Sequence, residues 1–236
     1  MRIFALTGSG ISAESGLGTF RDTGGLWGRF DPMKLATPEA FARDPKTVQA
    51  FYNARRTNLL GSYPNAAHFA LARLEAGLAA RGDELMLVTQ NIDDLHERAG
   101  SRRVLHMHGE LLKARCIGCG SVTPWREDLG GMDHCPACRQ LGRLRPDVVW
   151  FGEMPLHLPE IKRVLVTAGL FVAIGTSGSV YPAAGFVQKA RARGLRTCEL
   201  NLEPSDNAHA FDERRYGAAS AIVPTWVDEV LAVNAP

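Results

Sequence analysis

The 236-residue chain contains no run of like charge, no low-complexity tract, no internal repeat and no long apolar stretch. Each absence excludes something. Basic and acidic residues, 27 and 25, nearly cancel, so the chain lacks the charge footprint of a nucleic-acid binder. Its longest apolar runs fall well short of the roughly 20 residues that a membrane span needs. The opening MRIFALTGSG has too few apolar residues ahead of its glycines for a secretory signal. Hydrophobic residues make up 45%, enough for a packed core. The expectation is a cytoplasmic monomer with no nucleic-acid or membrane partner.

Cysteine is also scarce, but four of the five cysteines are patterned. Cys116 and Cys119 form one C-x2-C, Cys135 and Cys138 another, with 15 residues between the pairs. Two such turns aim four thiolates at one ion, and the turn-rich DLGGMDHCPAC suits a small ribbon held by metal. A redox dithiol is the competing reading. Four protein ligands leave no place for a reacting water, so zinc here would hold structure rather than do chemistry. The fifth, Cys198, reads as a buried strand residue.

Four short apolar runs read as buried parallel strands: residues 2–6, 85–89, 170–176 and 196–202. Helical spacing covers 66–82, 186–194 and 227–233, the first two ending in glycine. The alternation predicts an α/β fold, a Rossmann-like doubly wound parallel sheet. Two stretches break it. Residues 32–64 carry TPEAF and DPKTV, each a cap followed by proline, and residues 112–144 hold the cysteines. Both are read as insertions that build a smaller lobe, leaving 1–31, 65–111 and 145–236 to the larger one.

GSGISA, residues 8–13, follows the first strand and matches G-x-G-x-x-G/A. Gly8 and Gly10 would admit a pyrophosphate, and a helix start after them would favour its charge. A glycine-rich turn alone is weak evidence. The second strand with its acidic ribose ligand about 20 residues on is missing; ESGLGTFRDTGGLWGRF stands there instead. Glu203, just past the last predicted strand, is a substitute for that acid. A dinucleotide site fits this arrangement, but ordinary hydride transfer does not. Gly18, Gly24 and Gly25 are candidate hinges of the long loop.

Seven strings in the same order now coincide: GSGISAESGLGTFR, TQNIDDLHERAG, HMHGE, the four cysteines, VVWFGE, GTSGSVYP and NLEP. Together they resemble the sirtuins, NAD-dependent protein lysine deacylases, across essentially the whole chain. The chain departs from the family at Ser9, where alanine is common, and at Gly18, where proline is frequent. The resemblance implies one catalytic domain over 1–236, one structural zinc, and NAD consumed as a reagent. The acyl-lysine oxygen attacks the ribose C1′ as nicotinamide leaves, giving lysine and 2′-O-acyl-ADP-ribose.

That chemistry needs a base near the ribose, and imidazole is suited to it. The resemblance assigns the base to His108. His106, two residues earlier, would share its face; His96 is expected to cap a helix or meet solvent. Asn91 would orient the ribose or a water, Asp93 would accept from the nicotinamide carboxamide, and Gln90 and Ile92 would line the same pocket. Gly8, Ser9, Gly10, Ala13, Glu14, Thr19, Phe20, Arg21 and Trp27 would bind or cover the cofactor. Gly175, Thr176, Ser177, Asn201, Leu202, Glu203 and Ala219 would reach its adenosine half. Acyl-lysine proteins would lie as an added extended strand between two segments, touching Val149, Phe151, Gly152 and Val180.

The acyl group is read from FYNARR, residues 51–56. A succinyl, malonyl or glutaryl group carries a carboxylate that is costly to bury alone. Tyr52 and Arg55 share a helix face, and arginine offers the matching fork. Tyr-x-x-Arg is the signature of desuccinylase-like sirtuins, and Ala13 leaves room in the pocket. Arg56 keeps the reading of a solvated helix face. The alternatives are a protein ADP-ribosyltransferase, or a deacylase restricted to acetyl groups.

Overall fold

The structure, a computed structural model, describes residues 1–19 and 32–233. Its larger sheet is built from β1 (Arg2–Thr7), β2 (Glu84–Thr89), β3 (Val104–His106), β7 (Leu170–Ile174), β8 (Arg196–Asn201) and β9 (Glu213–Tyr216). Their order is β3-β2-β1-β7-β8-β9, every pair parallel. The chain reverses its direction of winding between β1 and β7, and the carboxyl ends of those strands flank the crevice where such sheets take ligands. The expected doubly wound sheet is the one observed.

Alternation along the strands feeds two cores. Ile3 and Ala5 pack beneath α4 (Ala66–Ala79) and α8 (Ala219–Val233), while Phe4 and Leu6 face α6 (Leu158–Thr167) and α7 (Phe186–Arg191). Helix α8 starts eight residues earlier than the 227–233 pattern implied, because Pro224 interrupts the apolar spacing without ending the helix. No described helix is long and apolar enough to cross a membrane.

The remaining elements form a second cluster. Helices α1 (Pro32–Leu35), α2 (Pro38–Arg43) and α3 (Pro45–Gly61) precede α4. Thr37 and Asp44 cap α2 and α3 through their side chains, each followed by proline, as the sequence pattern required. Strands β4 (Gly109–Cys116), β5 (Val122–Pro124) and β6 (Leu144–Val148) make a separate antiparallel sheet, order β5-β4-β6. Helix α3 packs against it through Phe51, Tyr52 and Leu59, beside Leu111, Val148 and Trp150.

Arg56 is not solvated: it is 1% exposed, donating to the Leu111 carbonyl at 3.2 Å and to Asn53 Oδ1 at 2.8 Å. The cause is helical phase. Val48, Tyr52, Arg56 and Leu59 lie on one buried stripe, and Arg56 joins α3 to β4 from within it.

Candidate active site

Three glycines make the floor. Gly8 and Gly10 leave β1, and Gly175, at φ +62°, leaves β7. Gly10 N donates to the Gly175 carbonyl at 2.9 Å. A Cβ on Gly8 would sit 2.7 Å from that oxygen, one on Gly10 2.7 Å from Gly175 Cα, and one on Gly175 2.4 Å from Ile11 N. These residues are glycine because two backbones touch, a demand separate from any phosphate. Two 3₁₀ turns, Ser9–Ile11 and Ala13–Ser15, follow instead of the helix start that was expected, and the second stops at Gly16 with φ +86°. The left-handed conformation there cannot continue a helix.

Above this floor the polar side chains form a directed network. Asn65 N donates to His68 Nδ1 at 3.2 Å, so the proton of the neutral ring lies on Nε2, 3.4 Å from Ser12 Oγ. Ser12 in turn donates to Asp93 Oδ2 at 3.0 Å, while Asn91 Nδ2 donates to Ser12 Oγ and to the Gly8 carbonyl, each at 3.1 Å. Asp93 Oδ1 accepts from Leu95 N at 3.2 Å. Burial raises the Asp93 pKa, and these two donors oppose the rise. Ser12 and His68 were not assigned from sequence. Ser12 stands inside the matched loop, but His68 is hidden in the apolar pattern of α4.

His96 departs from expectation. It lies on α5 (Leu95–Arg98), fully buried, with Nε2 3.0 Å from Thr7 Oγ1 and its ring 5.0 Å from that of His68. The short helix packs against α4, which turns its first residues inward. Burial pushes the His96 pKa well down and that of His68 down to about 4. The unfolded chain therefore takes up protons below pH ~6.5 that the folded rings refuse. Stability is full above that value and is lost as the pH falls toward 4, with His68 alone contributing about 2 kcal/mol of the loss by pH 5. Urea titrations at pH 7.5 and 5 should show a smaller acid loss in His68→Asn than in the parent; equal losses would contradict this assignment.

His106 and His108 are separated by their partners. His106 ends β3 with Nε2 2.7 Å from Glu97 Oε1 and Nδ1 3.4 Å from the Asn91 carbonyl. Burial opposes its charge, but Glu97 raises its pKa overall. His108, in the turn before β4, donates from Nδ1 to the Gln90 carbonyl at 3.0 Å. Its pKa is lowered by burial despite that bond. The neutral ring then carries its lone pair on Nε2.

Tyr52 and Arg55 lie on α3. Tyr52 is 1% exposed and its hydroxyl accepts from Trp150 Nε1 at 3.0 Å. The Arg55 guanidinium lies 5.7 Å over the Phe51 ring. Burial lowers its pKa, and Tyr52 and Asp93 push it back up. Ala13 is exposed at the second 3₁₀ turn, and Ile92 packs at the edge of the α3 core.

On the other side of the floor, Asn201 Nδ2 donates to the Thr176 carbonyl at 2.8 Å, and Ser177 Oγ lies 2.8 Å from Ser179 Oγ. Leu202 and Glu203 are exposed just beyond β8. Glu14 accepts from Ser220 N at 2.8 Å and Ser220 Oγ at 2.7 Å, beside Ala219, so its carboxylate caps the start of α8. Val149 N donates to the His108 carbonyl at 2.8 Å, Phe151 is exposed, Gly152 has φ +89°, and the Val180 carbonyl accepts from Ala184 N. Ser9 and Thr19 are half-buried nearby in the chain. Phe20, Arg21, Gly24, Gly25 and Trp27 lie outside the described residues.

The four cysteine sulfurs lie within 4.8 Å of one another. Cys116 to Cys138 is 3.7 Å and Cys119 to Cys135 is 3.8 Å. A tetrahedron with Zn–S bonds of ~2.3 Å has edges of ~3.8 Å, so the donor set fits zinc.

A model described as the Sir2 family matches residues 8–182. The chain is 60% identical, over 98% of both sequences, to an NAD-dependent protein deacylase of Caulobacter vibrioides. A mutant Sir2 homologue in complex with 2′-O-acetyl-ADP-ribose superposes with a TM-score of 0.90 at 38% identity, covering 100% of this chain and 94% of that one. A Sir2 protein bound to an acetylated peptide gives 0.80 at 26% identity, covering 97% and 92%.

Proposed function

The chain belongs to the Sir2 family and is an NAD-dependent protein deacylase; from that premise we propose that it removes succinyl and malonyl groups from lysine, and acetyl groups as well. NAD supplies an activated ribose carbon that accepts the acyl oxygen as nicotinamide leaves. His108 is the base. Its Nδ1 is committed to Gln90, so Nε2 takes a proton from a ribose hydroxyl, and its lowered pKa keeps it unprotonated at neutral pH. Asn91, whose Nδ2 is held by Gly8 and Ser12, presents Oδ1 to the ribose or to water. Asp93 receives the carboxamide, and the Thr176–Ser177 and Asn201–Glu203 turns take the adenosine half. The four cysteines hold zinc for structure.

The substrates in this reading are acyl-lysine segments of other proteins, laid as an extended strand along Val149, Phe151, Gly152 and Val180. The protein acts in the cytoplasm as a monomer, with no nucleic-acid partner, in keeping with its balanced charge.

The preference for acidic acyl groups rests on Arg55. It stands three residues after Tyr52 on α3, and in this reading it meets the end of an acyl chain attached to lysine. A charge-assisted contact contributes about 1.5–3 kcal/mol, roughly a 10–150-fold change in binding. Arg55→Met should therefore raise KM for a succinyl-lysine peptide by about that factor, while action on an acetyl-lysine peptide does not fall with it. A variant that processes succinyl-lysine as well as the parent would refute the assignment.

A further inference from the structure

We propose that Trp150 is a positioning residue for acyl selection: its indole N–H fixes the Tyr52 hydroxyl so that the phenolic proton points to a carboxylate held by Arg55. This rests on the reading of Tyr52 and Arg55 given above.

An indole nitrogen can only donate, so the 3.0 Å contact between Trp150 Nε1 and Tyr52 Oη has one direction. The phenolic hydrogen prefers the plane of its ring and has two positions there. The incoming indole N–H disfavours the position facing it, which leaves the opposite one. Both rings are buried, Tyr52 at 1% and Trp150 at 2% exposure, so bulk water does not compete. Burial raises the Tyr52 pKa, and the hydroxyl keeps its proton at neutral pH.

The indole is itself held. The Arg145 guanidinium lies 3.4 Å over its ring, and Glu153 grips that arginine through both carboxylate oxygens, at 2.7 and 2.9 Å. Glu153 also accepts from the Trp150 backbone N–H at 2.8 Å. Phe41 packs on the indole at 5.2 Å between ring centroids. A side chain clamped on its face and at its backbone aims its N–H with little freedom, and pre-orientation of this kind favours a ligand that uses the oriented group. Succinyl and malonyl groups carry an acceptor for that proton at the end of the chain, whereas an acetyl group ends in a methyl.

The test is a comparison of kcat/KM for succinyl- and acetyl-lysine peptides of identical sequence. Trp150→Phe keeps an aromatic ring and removes the donor. The succinyl-to-acetyl ratio should fall about three- to tenfold, mainly through KM for the succinyl peptide. A general packing defect would lower both activities and leave the ratio alone. Adding Trp150→Phe to Tyr52→Phe should give no further fall in the ratio, since the two act through one hydroxyl. Benzothienylalanine at position 150, which swaps the N–H for sulfur and keeps the ring shape, should reproduce the shift even where phenylalanine perturbs folding. If Tyr52→Phe and Arg55→Met lower the ratio and neither change at 150 does, the role of Trp150 is overturned and the carboxylate reading stands. If none of the variants moves the ratio, both are overturned.

Discussion

Replacing His108 with alanine should lower kcat on every acyl-lysine peptide by about 10²–10⁴-fold and leave the thermal midpoint near that of the parent. The two halves of this expectation come from the same contact. His108 sits half-buried in the turn before β4 and spends Nδ1 on the Gln90 carbonyl, so its loss removes one hydrogen bond and little core packing. What disappears is the lone pair on Nε2. The neighbouring His106 cannot replace it, because both its nitrogens face acceptors and Glu97 favours its charged form. The pH profile adds a second check. His108 has its pKa lowered by burial, so the acid limb of kcat/KM should have its midpoint below the ordinary histidine value of ~6.5. Activity is then retained at neutral pH and lost only as the pH falls through that lower value. A variant with near-parental kcat, or an acid limb above the ordinary value, would remove His108 from this role.

Loss of the metal is expected to act through stability instead. Serine at Cys138, or prolonged chelation, should collapse the thermal transition, with activity falling in step with folded protein. The core around the cysteines is small: Ala114, Leu129 and Leu144 join Cys116 and Cys135, and β5 has only three residues. Apolar burial on that scale cannot match the roughly 10–16 kcal/mol that structural zinc contributes in small metal-dependent folds. The effect reaches the site by a short route. Strand β4 begins directly after His108, β6 ends directly before Val149, and Val149 N donates to the His108 carbonyl. Metal analysis with parallel calorimetry decides the matter. A protein stripped of zinc that keeps its melting temperature and its rate would show that the cysteines do not need the metal.

The elements that were legible in sequence are those whose burial is complete. Strands β1, β2 and β7 are covered on both faces and carry unbroken apolar runs, while β8 is buried but mixes Cys198 and Leu200 with buried Thr197 and Glu199. Strand β9, whose ERRY is an edge with alternating exposure, carries no such run and was missed. Helix α6 was missed although Leu158, Ile161, Val164 and Leu165 form a clear stripe. At the site, the motif strings suggested candidate residues but could not say which side chains support others. His96 lies in a polar string, and only tertiary packing turns it inward. Glu14 caps a helix more than two hundred positions away in sequence. Arg56 was recoverable in principle, being four residues past Tyr52 on the buried stripe, yet two adjacent arginines look alike until the phase of the helix is fixed.

The contact among Gly8, Gly10 and Gly175 bears on how this protein can move. Because the backbones leaving β1 and β7 interlock without an intervening side chain, the two halves of the crevice floor cannot slide past each other without a collision. In the proposed reading, the two halves of a dinucleotide would bind over one stiff plate. Any opening or closing of the crevice must then come from parts that swing against that plate.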